Sequence, residues 1–68
     1  MTTQVHTDEA INAQIERIVI EANRLISALQ ENAEHAAAHD AKGVARDDTR
    51  RAKLILKARD LLSDARYV

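Results

Sequence analysis

The chain contains no cysteine, proline, phenylalanine or tryptophan, and only one glycine, one tyrosine and one methionine among 68 residues. Each shortage removes a class of protein. Without cysteine there is no disulfide framework, no thiolate nucleophile and no cysteine-ligated zinc. Without proline, and with Gly43 as the sole glycine, the residues that punctuate turns and loops are nearly absent. A lone Tyr67 cannot build a stacking platform for bases, and no glycine-rich segment exists to cradle phosphate. No run approaches the ~18 consecutive apolar residues of a membrane span. Residues 1–7 lack the basic-then-apolar order of a secretory signal. The expectation is a cytoplasmic, single-domain protein over residues 1–68, with 1–7 a frayed tail.

What is present is helix-forming. Thirteen Ala, six Leu and six Ile, with abundant Glu and Arg, predict an all-α chain. Ile11, Ile15, Ile18, Ala22, Leu25 and Leu29 recur at alternating spacings of four and three, the seam of a coiled coil or helical bundle. Thr7 or Asp8 is placed to cap the first helix, with acids at the positive end of its dipole. Gly43 is placed to end it in a left-handed conformation, after Lys42 at the negative end. Helix 1 is therefore expected over about 8–42. A second helix, capped by Asp47 or Asp48, is expected over about 47–66. Its core stripe reads Leu54, Ile55, Ala58, Leu61, Leu62 and Ala65, and its back reads Ala45, Ala52, Leu56 and Tyr67 beside Arg59 and Ser63.

A short connection makes the two helices an antiparallel hairpin. With these lengths helix 2 covers only the far, Ala-rich part of helix 1, so Ile11, Ile15, Ile18 and Val19 overhang. A second copy would cover them, giving a homodimer of hairpins in a four-helix bundle with Ile11, Ile15, Ile18, Val19, Ala22 and Leu25 at its interface. The alternative is a break near Asn32 that yields a compact three-helix monomer.

Charge is divided along the chain. Residues 1–41 hold seven acids and two bases, whereas residues 42–68 hold eight bases and four acids. Arg46, Arg50, Lys53 and Lys57 form a row on one flank of helix 2, where like charges four apart repel by a few tenths of a kcal/mol. Their compensation is expected to be intermolecular: acids of a neighbouring helix, a protein partner reached also by Leu56 and Tyr67, or a phosphate ligand. Glu31, His35 and His39 share one helical face at spacings of four, a weak metal-chelating pattern without further ligands; no cofactor is expected. Ser27 and Ser63 have no histidine at useful spacing, so no catalytic site is expected. The function that follows is a non-enzymatic, homo-oligomeric interaction protein of adaptor or inhibitor type. The alternative is an oligomer binding RNA, DNA or a nucleotide along the basic row.

Overall fold

The computed structural model describes residues 5–67. Among them the chain forms two helices, α1 (Asp8–Ala38) and α2 (Lys42–Ala65), packed side by side as an antiparallel hairpin. No helix among the described residues is long and apolar enough to cross a membrane. The part of the expected frayed tail before Val5 lies outside the described residues. Val5 and His6 are exposed. Thr7 caps α1: its Oγ1 accepts from the Ala10 N–H at 3.1 Å, and Asp8 and Glu9 occupy the first turn.

α1 runs through Asn32 without a break, because Ala33, Ala36, Ala37 and Ala38 sustain the helix at no side-chain entropy cost. It ends four residues earlier than expected, and α2 begins at Lys42 rather than near 47. The turn is made by Asp40, not Gly43. Asp40 takes the left-handed conformation, φ 61°, whereas Gly43 has no positive φ and sits in the first turn of α2. The Ala41 N–H donates to the Ala36 carbonyl at 2.8 Å and the Asp40 N–H to Ala37 at 3.3 Å, the two bonds of a Schellman motif. Aspartate is among the few side chains that tolerate this backbone. Asp47 and Asp48 therefore fall in the second turn of α2. The residue at its N-cap, Ala41, offers no side-chain cap.

These boundaries give helices of 31 and 24 residues. α1 is still longer by seven residues, about two turns, and Ile11 stays exposed, but the expected overhang of Ile15, Ile18 and Val19 is gone. The Arg59 guanidinium donates to Asn23 Oδ1 at 2.8 Å, which fixes the register. Ile55, Ala58 and Leu62 line one groove with Ile18, Ala22 and Leu25. Ile15 and Val19 are accordingly half-buried against α2 within a single chain.

The seam of α1 runs Asn12, Ile15, Val19, Ala22, Ile26, Leu29, Ala33 and Ala36. It shares Ile15, Ala22 and Leu29 with the expected line but takes Val19 and Ile26 in place of Ile18 and Leu25. Extended toward the turn, the expected line meets Asn32, whose burial without a partner costs free energy; the observed line meets Ala33. On α2 the correction is larger. The seam is Ala45, Asp48, Ala52, Ile55, Arg59, Leu62 and Arg66, so Ala45 and Ala52 face α1 instead of the back. Leu54 and Leu61, expected in the core, are exposed. Small residues from both helices (Ala33, Ala36, Ala45, Ala52) meet near the turn, where a bulky line would hold the backbones apart. Arg59 fits a seam position by laying its stem along α1 while its head reaches Asn23 and, at 2.9 Å, Asp60.

The core is thin. Its buried apolar members are Ile26, Leu29, Ala33, Ala36 and Ala52, joined by the partly buried Ile55, and no described side chain is sealed completely from solvent. Asp48 is the buried charged residue, with Arg51 Nη1 3.4 Å from its carboxylate.

Candidate functional site

A two-helix layer has two broad faces, and side chains beside the seam divide between them. The front face carries Ile11, Ile18 and Leu25, seven residues apart on α1 and 42%, 50% and 48% exposed. Ala58 of α2 lines the same groove as Ile18 and Leu25. Leu54 and Leu61, four before and three after Ala58, share its side of α2 and are 55% and 71% exposed. The strongest apolar line of each helix thus ends on one side of the molecule. Toward the turn this face becomes polar, through Asn32 and His39 on α1 and Arg51 and Asp47 on α2.

The interface set expected from the sequence is therefore split. Ile15, Val19 and Ala22 are used within the hairpin; Ile11, Ile18 and Leu25 are left outside it.

The back face holds a groove of about 500 Å³ near the turn. Its floor is small, made by Ala33, Ala37 and Ala45, and Arg46, Thr49, Arg50 and Lys53 form one wall. Glu34 is the acid on the other side. The groove continues past Lys53 to Gln30, Ile26, Ala52 and Leu56. Thr49 does not present a free hydroxyl proton, because it donates to the Ala45 carbonyl at 2.8 Å. All four members of the basic row, Arg46, Arg50, Lys53 and Lys57, are exposed, and none has an ion-pair or hydrogen-bond partner among the described residues. Intramolecular acids do not compensate them. Asp48 pairs with Arg51 and Asp60 with Arg59, while Glu34 across the groove makes no ion pair with the row.

Leu56 belongs to this groove, but Tyr67 does not. Tyr67 lies at the opposite end of the hairpin, 81% exposed, in a cleft with Glu9, Asn12, Glu16 and Arg66. The Arg66 guanidinium stands 5.5 Å from its ring centroid. His35 and His39 approach to 4.3 Å between ring centroids, tilted by 57°. His39 already belongs to the C-cap of α1, and Glu31 does not join the pair: among the described residues no three His, Cys, Asp or Glu side chains converge as metal ligands.

The front patch was missed as a unit because its members come from two helices whose relative rotation only the seam decides. The seven-residue repeats Ile11-Ile18-Leu25 and Leu54-Leu61 were the available signal. Comparison with protein-family models, curated proteins and solved structures gives no match.

Proposed function

We propose that this chain is a non-enzymatic helical interaction protein that self-associates and acts by binding another protein, in the manner of an adaptor or inhibitor. The observation that carries the reading is that the hairpin leaves large apolar side chains in line on its front face while sealing none of its described side chains in the core. A pair of helices has a single mutual interface, and contiguous exposed apolar surface of this kind marks association sites. The groove on the back supplies a second, chemically different surface. Its alanine floor admits a helix backbone closely, and its wall of Arg46, Arg50 and Lys53, with Leu56 beyond, suits an amphipathic segment bearing acids. A cytoplasmic setting belongs to the same reading, and the cysteine-free sequence is compatible with it.

The test is affinity capture from the native host with wild type and with the Arg50→Glu, Lys53→Glu double variant, followed by titration of the purified captured protein. Micromolar or tighter binding that the double variant weakens at least tenfold supports the reading. Binding indifferent to the substitution, or none, overturns the assignment of the groove.

A second reading is favoured by one observation, the four uncompensated cations in a row. It is an oligomer that binds RNA, DNA or a nucleotide along Arg46, Arg50, Lys53 and Lys57. Direct titration of wild type with RNA, DNA and nucleotide near physiological salt separates the two: the second reading expects binding, with each phosphate contact adding about 0.7 to 0.9 to the slope of log K against log salt. The first expects none.

A further inference from the structure

We infer that the front face is covered by a second copy of this chain, stacked so that α1 of one hairpin lies over α2 of the other and the two turns meet at one end. The inference rests on the self-association in the preceding reading and names its surface, occupant and direction.

Three observations carry it. The first is area. A compact monomer of 7.6 kDa exposes about 4,300 Å² by the usual scaling of surface with mass. This chain exposes 5710 Å². The excess of about 1,400 Å² combines the elongated shape, 62 × 15 × 14 Å, exposed residues outside the helices and unpartnered helix faces. A stable dimer removes about 800 Å² per partner, which this excess can supply.

The second is self-complementarity of size. On the front of α1 the residues beside the seam are large (Ile18 and Leu25), and on α2 they are small (Ala58 and Ala65). A two-fold axis along the hairpin puts Ile18 and Leu25 of each copy against Ala65 and Ala58 of the other, large into small. Leu61 and Leu54 then close over the outer shoulder of the opposing α1. Turning one copy end for end would set Ile18 and Leu25 against the same bulky line and alanine against alanine. That arrangement leaves voids along α2 and crowding along α1.

The third is the match of polarity along the length. The register that joins Asn23 to Arg59 places Leu25 level with Ala58, and places Asn32 nearer the turn, level with Arg51. With the turns at one end, apolar halves meet each other, and Asn32 meets Arg51 and Asp47. The end-for-end arrangement cannot cover both halves and keep this match. In the favoured stack the back faces point away from each other, so both basic grooves stay open.

The test uses the whole chain. Sedimentation equilibrium from 5 to 200 µM (a range of about 0.04 to 1.5 g/L at this mass) should give twice 7.6 kDa. Leu61→Glu should raise the dissociation constant at least 100-fold, because Leu61 is 71% exposed in one hairpin and its change has little effect on that hairpin alone. The natural sequence has no cysteine, so single replacements report direction cleanly. An equimolar, isotope-marked mixture of Leu25→Cys and Ala58→Cys chains should form the mixed disulfide under a glutathione redox buffer in large excess over either self-pair. This readout needs no disruptive variant. A folded wild-type monomer throughout the range would overturn the inference, as would a dimer that Leu61→Glu leaves intact. Failure of the mixed disulfide to form in a dimer, or predominant self-pairing of either cysteine chain, would overturn the stacking direction. Partner capture through the basic groove is scored separately and survives any of these failures.

Discussion

Gly43→Ala should stabilise this protein, which is the reverse of what a turn glycine would do. In a left-handed turn, adding a Cβ strains the backbone and lowers the melting temperature. Here Gly43 lies in the first turn of α2 without a positive φ, and a Cβ built on it meets nothing within 4 Å. Glycine in a helix is worse than alanine by about 0.5–1 kcal/mol, with the lower figure fitting a first-turn position. The complementary change is Asp40→Gly. Asp40 bears the left-handed conformation at φ 61°, where a non-glycine residue costs about 1–2 kcal/mol, less for aspartate. Relieving it should gain about 0.5–1 kcal/mol. For a domain of this size about 1 kcal/mol corresponds to roughly 4–8 °C. Each variant should therefore melt about 2–8 °C above wild type by far-ultraviolet circular dichroism. All samples must be held at one concentration, because association couples to melting. The reasoning is refuted if Gly43→Ala melts several degrees lower, or if Asp40→Gly gives no gain.

Other changes probe the seam and the faces. Ile26→Ala, at a residue 7% exposed, should cost about 2–4 kcal/mol in urea unfolding, whereas Ile20→Ala, 46% exposed on the outer side of α1, should cost under about 1; equal losses would place the seam elsewhere. Asn23→Ala removes the acceptor for Arg59 and should cost about 0.5–1.5 kcal/mol, with Arg59→Ala adding little further in the double variant. Ala41→Ser should gain about 0.5–1 kcal/mol in thermal melts by supplying the side-chain cap that α2 lacks.

The sequence made the helical hairpin legible because nothing in it favours any other secondary structure, and Thr7 announced the start of α1. It did not reveal the turn. Gly43 was the strongest local signal, but a three-residue connection ending in Ala41 lets Asp40 close a Schellman motif earlier, and α2 gains a full turn. Nor did it resolve the rotation of each helix. Two apolar lines one position apart pass through Ile15, Ala22 and Leu29, and only the closeness of Ala33 and Ala36 to Ala45 and Ala52 selects between them. The basic row was legible as a row. That it borders an alanine-floored groove and finds no intramolecular acid depends on tertiary placement.

The cleft that joins Glu9, Asn12 and Glu16 to Arg66 and Tyr67 shows that the chain enters and leaves the hairpin at the same end. Load applied through anything attached there would peel the helices apart, not slide them along each other. Peeling breaks one layer at a time: Glu9, Asn12 and Glu16 with Arg66 and Tyr67 first, then Ile18 with Leu62, then the Asn23–Arg59 link, then Ile26 and Leu29, and the alanines by the turn last. Such a hairpin yields in small successive steps under low force. The same chain held between α1 and the turn would resist until many layers gave way together.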